Sequence, residues 1–281
     1  MRRALLSAAL VVVLVTAGCN SLVVPDPSPA PETTTGLSGR LAPGLTANGF
    51  TDRAKLTEAH GKVLREKSYT FRYRVTETAS NGSVLGHVQI SHEVGSNSTH
   101  FTYDIVKNGS LGPIQTSYGL SAWANGTTTL FARTTNEHTS YQLTHDPDSL
   151  GYVRRTTYSK RLYNRFVALN VTDIERIDRP GTPTYRVVMN GVRHPSLFPN
   201  FDTVENASLV ATIDTWGVVH RYRLVATGTK GGETVQRTET FEITNVGETT
   251  IRRPSWYSAA MNATSRRRNV TRAAHRTHTA G

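Results

Sequence analysis

The sequence predicts a mainly β (α+β) domain, a long antiparallel meander with two main helices. Three observations carry this. Apolar and polar residues alternate with a period of two in many short stretches between Tyr69 and Thr244. Turn signals such as Asn81-Gly82, Asn108-Gly109 and Lys230-Gly231-Gly232 punctuate them. Apolar residues at three- and four-residue spacing mark one helix over 52–67 and another over 153–169.

The chain begins MRRALLSAALVVVLVTAGC. Arg2 and Arg3 precede an uncharged run from Ala4 to Ala17, then Gly18 and Cys19, the single cysteine of the 281 residues. A positive start, a short apolar run and small residues before the cut make residues 1–18 a secretory signal peptide. Ala17 and Gly18 before Cys19 fit a lipobox, with the lipid on the Cys19 thiol. Thr16 stands where the usual bacterial pattern has Leu, so an ordinary signal peptide or a single membrane anchor stays open. The apolar run is about 21 Å of helix at roughly 1.5 Å per residue, short of a hydrocarbon core of about 30 Å. The Arg pair fits twin-arginine or Sec export.

With one Cys the fold has no disulfide framework and depends on its core. The formal charge is +11, and losing Arg2 and Arg3 with the signal takes it to +9. For an exported protein this charge favours anionic lipid headgroups or an acidic cell surface over nucleic acid. Residues 19–46 read as the lipidated Cys19 plus a tether. Pro25, Pro27, Pro29, Pro31 and Pro43 lie among Ser, Thr, Gly and Ala, a composition that stays extended and solvated.

The folded domain is expected over 47–258. Thr51 or Asp52 caps the first helix, in which Leu56, Ala59, His60, Val63 and Leu64 recur at three- and four-residue spacing. Tyr69, Phe71, Tyr73 and Val75 then alternate with Thr70, Arg72, Arg74 and Thr76. Further strands are expected at 84–94 and 101–105, then near 114–123, 127–134 and 138–144. In 153–169, Tyr158, Leu162, Phe166 and Leu169 share one face; Arg154, Arg155, Lys160, Arg161 and Arg165 make the rest basic. This is a core-facing helix with a charged side, or a lid. Strands resume at 170–178, 183–190, 208–214, 218–228 and 232–244. Pro254 precedes a short final helix.

Residues 259–281 read as a basic disordered tail. Arg266, Arg267, Arg268, Arg272 and Arg276 supply +5 without an acidic residue, a candidate electrostatic contact with the membrane surface. Eight Asn-x-Ser/Thr sequons are candidate glycosylation sites: Asn81, Asn97, Asn108, Asn125, Asn170, Asn206, Asn262 and Asn269.

Catalytic signatures are missing. The sequence has no Gly-rich phosphate loop, HExxH, Gly-x-Ser-x-Gly or Cys pair. His87 and His92 are five apart in a predicted strand and so face opposite sides. Asp104, Asp146, Asp148, Asp173 and Asp214 form no spaced pair for acid–base work. The expectation is a non-enzyme without cofactor or metal.

This order of a lipidated Cys, tether, helix, strand meander, second helix and long strands resembles the LolA/LolB and LppX/LprG class of lipoproteins and lipid carriers. The hairpin ATIDTWGVVHRYRL, Ala211 to Leu224, is similar to a strand–Asp-x-x-Gly–strand unit of that class. PGLTANGFTDRAKLTEAH (Pro43 to His60) and RPSWY (Arg253 to Tyr257) resemble an uncharacterised family of haloarchaeal lipoproteins. The resemblance implies a strongly curved antiparallel sheet, a half-barrel, wrapped round an apolar cavity with helices over its mouth. Tyr69, Phe71, Tyr73, Val88, Ile90, Phe101, Tyr103 and Phe131 would line it, with Leu162 and Phe166 from the lid. The implied protein is lipid-anchored to the outer face of the cell membrane and binds lipid or another apolar ligand. The alternative is an envelope interaction module whose core is filled.

Overall fold

The computed structural model describes residues 37, 39–111, 117–135, 138–146, 151–154, 156–177 and 181–266. Residues 1–36 and 267–281 lie outside these. So do Cys19, Asn269, Arg267, Arg268, Arg272 and Arg276.

Three short strands, β1 (Arg40–Ala42), β2 (Leu45–Thr46) and β3 (Gly49–Phe50), pair with one another and lead into helix α1 (Arg53–Glu66). The strands β4 (Tyr69–Ala79), β5 (Val84–Val94), β6 (His100–Gly109), β7 (Tyr118–Asn125), β8 (Thr129–Thr135) and β9 (His138–Thr144) follow as a meander. Next come α2 (Gly151–Arg154) and α3 (Ser159–Ala168). A second meander comprises β10 (Leu169–Ile177), β11 (Thr184–Val192), β12 (Thr203–Asp214), β13 (Val219–Lys230) and β14 (Glu233–Thr244). Each of these strands falls on or beside a stretch of alternation and is bounded by its turn.

The two meanders form one eleven-stranded antiparallel sheet, in the order β10-β11-β12-β13-β14-β4-β5-β6-β7-β8-β9. The seam is β14 against β4, in unbroken register from Val235↔Ala79 to Thr244↔Thr70. A helix precedes β4, so that strand has an edge free for the returning chain. The sheet does not close: its end strands β9 and β10 each pair on one side only among the described residues.

One apolar cluster includes Val187 and Met189 of β11, Leu224, Phe241, Phe71, Ile90, Phe101 and Ala122 of β7. A flat sheet of eleven strands is about 50 Å across at ~4.8 Å per strand, too wide for one cluster. The sheet therefore curls around it. The concave side is filled from above by Leu56 and Leu64 of α1 and by Leu162 and Phe166 of α3, all fully buried. Asp52 caps α1, its Oδ1 accepting from the Lys55 amide at 2.9 Å.

Three stretches differ from expectation. The helix expected over 153–169 is split into α2 and α3, and Leu169 already belongs to β10. The break has a physical cause. The carbonyl of Thr156 accepts from the Tyr69 hydroxyl at 2.8 Å, and that of Thr157 is bonded to His60 Nε2 at 3.0 Å. These partners lie in β4 and α1, so the two carbonyls do not serve a helix ladder. The backbone then passes through a left-handed conformation at Tyr158, φ 60°.

Second, residues 40–46 are part of the fold, although the expected tether extends to 46. Leu41, Ala42 and Leu45 are buried, and the Gly44 carbonyl accepts from the amides of Thr51 and Asp52. Gly44 has φ 73°, and any side chain there would run into the Asp52 carbonyl.

Third, residues 257–266 are helical (α4), so the expected tail boundary at 259 falls inside a helix. β7 and β8 are apolar on both faces: Ala122, Trp123 and Ala124 are buried in succession. Trp123 and Leu130 point to the convex side, where Trp256, Tyr257, Ala260 and Met261 cover them. No helix of the described residues is long and apolar enough to cross a membrane.

Candidate ligand-binding site

Strand pairing places the expected lining on one surface. Phe71 sits opposite His92, Tyr73 opposite Ile90, Val94 opposite Phe101, and His92 opposite Tyr103. Ala122 carries the row to Phe131 of β8. Tyr69, Phe71, Tyr73, Ile90, Phe101, Tyr103, Leu162 and Phe166 are buried, whereas Val88 and Phe131 are half-buried.

At the end beneath α1 and α3 the space between these side chains is occupied by Tyr158. Its ring stacks on Phe71 with centroids 3.5 Å apart and meets Phe241 edge-on. The sequence placed Tyr158 on a helix face; as the residue capping α3 it instead drops into the concave floor. Its hydroxyl is 3.0 Å from His92 Nδ1.

His92 is the unusual member. It is fully buried, with the rings of Tyr69, Phe101, Tyr103 and Tyr158 edge-on around it, and its Nε2 has no hydrogen-bond partner among the described residues. Burial lowers its pKa to about 3, so it is neutral at pH 7. His60 makes the contrast. It is equally buried, but Nδ1 accepts from the Val219 amide at 3.2 Å and Nε2 bonds the Thr157 carbonyl. Burial lowers His60 to about 4.

Further along the same face, β14 and β4 carry charge. Arg165 of α3 reaches down to Glu239, with Nη2 to Oε1 at 2.6 Å and Nε to Oε2 at 2.9 Å. Arg237 Nε donates to Glu239 at 2.8 Å and its Nη1 to Glu77 at 2.6 Å. Lys230 completes the chain, 2.8 Å from Glu77. Glu77 and Glu239 are essentially inaccessible to solvent. Burial by itself pushes Glu239 up, but Arg165 and Arg237 outweigh it and hold it below the ordinary carboxylate range. Burial and the nearby Glu239 carboxylate hold the Tyr222 phenol well above its usual range.

Sequence reading missed this network. A signal was present, because Arg237 and Glu239 alternate in phase with Val235, Phe241 and Ile243. Only buried pairs are consistent with that phase.

Other expected residues lie elsewhere. His87 faces the convex side beside Asn108, opposite to His92. Asn81, Asn97, Asn108, Asn170, Asn206 and Asn262 are exposed, Asn125 is half-buried, and Arg266 is exposed at the end of α4. Two grooves lie off the concave floor. One of about 720 Å³ adjoins the exposed Trp216 and the His220–Asp214 pair. Another of about 580 Å³, lined by Glu93, Asp104 and Arg253, runs beneath residues 245–256.

The fold is similar to the crystal structure of LprF from Mycobacterium bovis at 13% identity, covering 77% of this chain and 99% of that one with a TM-score of 0.33. It is also similar to the Mycobacterium tuberculosis lipoprotein LppX, at 13% identity over 70% of this chain and 96% of that one, TM-score 0.30. A DUF1329 family protein from Desulfovibrio piger aligns at 7% identity over 73% and 95%, TM-score 0.23. No protein-family model and no curated protein matches the chain.

Proposed function

We propose that the protein is a cell-surface lipoprotein that carries a lipid or another apolar ligand on its concave face beneath α3, without catalysis. The observation that carries this is the Tyr158–His92 contact. A left-handed backbone at a bulky aromatic costs about 1–3 kcal/mol. A buried ring nitrogen without a partner costs about 1–3 kcal/mol more. Both costs fall at one spot, in the middle of the surface an apolar ligand would need. Withdrawal of the 156–158 segment would vacate the place between Phe71, Ile90, Phe101 and Tyr103. That place adjoins the half-buried Val88, Ile105 and Phe131, so a chain-like ligand would replace the ring of Tyr158.

The sequence supplies the setting for this reading. Cys19 takes the anchor on the outer face of the membrane, and the Pro-rich stretch before the first short strands holds the domain away from it. Arg266, Arg267, Arg268, Arg272 and Arg276 add an electrostatic contact with anionic headgroups, and exposed sequon asparagines accept glycans. The haloarchaeal resemblance of Pro43–His60 and Arg253–Tyr257 belongs to the same reading.

Native mass spectrometry of the full chain carrying Cys19→Ser, purified without detergent, tests the carrier. A discrete adduct of lipid mass, lost on organic extraction, is the expected result. A Tyr158→Ala variant should take up a fluorescent fatty acid faster than the unaltered chain. A second reading is favoured by the burial of eight of the ten expected lining residues: an envelope interaction module with a filled core. An apo mass that stays apo with host lipids, together with no dye uptake by either chain, selects that reading and overturns the first.

A further inference from the structure

Beside the buried network, α3 and the 195–199 turn border an open pocket of about 380 Å³ against the sheet. Its lining includes Lys160, Arg161, Asn164 and Arg237, with Tyr73 and Pro199 as apolar walls, and no acidic residue among the described residues lines it. The pocket is held in shape by Arg165, whose Nη1 donates to the Leu197 carbonyl at 2.9 Å while its other nitrogens hold Glu239.

The charges do not balance. Among the described residues, Arg165, Arg237 and Lys230 already take the two buried carboxylates, Glu77 and Glu239, and Lys160 and Arg161 of the pocket have no share in them. Arg161 has no carboxylate partner among the described residues; its guanidinium lies 3.8 Å over the Tyr73 ring. Stacking satisfies a guanidinium's face and leaves its N–H edge free for a planar or tetrahedral oxyanion. Lys160 and Asn164 add donors on the same side of α3.

We propose that this pocket binds a phosphate-type oxyanion, and specifically the phosphate headgroup of an amphiphile whose chain runs from Tyr73 toward Phe71 and Tyr158. The chain half of this assignment rests on the carrier reading; the anion half rests on the pocket alone. Tyr73 joins the two, since it walls the pocket and is also part of the aromatic floor.

The test is calorimetric titration of the full chain with three probes: inorganic phosphate, dodecyl phosphate and dodecanol. Dodecyl phosphate should bind at least about tenfold more tightly than dodecanol, the scale of one charge-assisted contact. Its affinity should fall with added NaCl. In a Lys160→Gln, Arg161→Gln variant it should drop to that of dodecanol, with dodecanol unchanged. Equal binding of dodecyl phosphate and dodecanol would overturn the anion site and leave the carrier standing. Binding of inorganic phosphate alone, lost in the variant, would overturn the carrier and the headgroup assignment and leave a free-anion site. Failure of both phosphate probes overturns the proposal outright. The three-probe comparison on the unaltered chain decides this even if the variant does not fold.

Discussion

The two ends of the concave face lie on the same strands and are built on opposite principles. At one end Tyr69, Phe101, Tyr103 and Tyr158 stand edge-on around His92, and Phe71 and Phe241 pack against Tyr158, so this end is closed by rings. At the other, two to four residues along β14 from Phe241 and six along β4 from Phe71, Glu77, Arg237 and Glu239 are closed by ion pairs to Arg165 and Lys230. The aromatic end is held by non-directional contact, so a ring can be exchanged for another apolar body of similar volume. The charged end is directional. Removing Glu239 strips the buried Arg165 of its carboxylate, while each carboxylate is held by two cations and keeps one when the other is removed. The second therefore fixes α3 on the sheet, and the first is the end that the proposed carrier would open.

That contrast can be broken most sharply at Glu239. Glu239→Ala should cost about 3–5 kcal/mol, because the buried Arg165 would lose its carboxylate and Arg237 would keep Glu77 alone. Urea denaturation measures it, and a loss under 1 kcal/mol would mean that the charged end does not fix α3. Phe71→Ala at the aromatic end should cost about 3–4 kcal/mol in the same experiment. The two variants should part in ligand uptake. Phe71→Ala should accept a larger apolar probe, whereas Glu239→Ala should not.

Acidification separates the ends without mutation. His60 and His92 are held neutral by burial, with pKa values lowered to about 4 and about 3. Their unfolded forms take up a proton near pH 6.5, so the native state binds fewer protons below that pH. Stability is then full above about pH 6.5 and falls toward pH 4, by up to about 1.4 kcal/mol per pH unit for each histidine. The carboxylate Glu239, with its lowered pKa, adds its loss only below the ordinary carboxylate range, under about pH 4. His92→Phe should roughly halve the slope between pH 6.5 and 5. An unchanged slope would place the titration elsewhere. The smallest effect belongs to a control for the charged end. Arg186–Glu175 has the same chemistry at 2.8 Å, but its side chains are 38% and 19% exposed. Glu175→Gln should cost no more than about 1 kcal/mol.

Much of this was legible in the chain itself. Alternation and turn spacing marked the strands of the large sheet, and alternation put Tyr69, Phe71 and Tyr73 on one face of β4, because a strand's period is a local property. Asp52 and the spacing of Leu56 and Leu64 specified α1. The tail boundary was not legible, because α4 exists to cover Trp123 and Leu130, residues far from it in sequence.

The sequence by itself thus determined element type, face and turn, each of which depends on neighbours within a few residues. Tertiary structure alone decided three things. It set β14 beside β4, since the open edge of β4 is filled by whichever strand returns there. It broke the 153–169 helix, since the Thr156 and Thr157 carbonyls bond to Tyr69 and His60 rather than to the next turn. It turned Arg165, on the basic side of a helix, into the partner of a buried glutamate 74 residues away, since a long cation finds its carboxylate only once helix and sheet are packed.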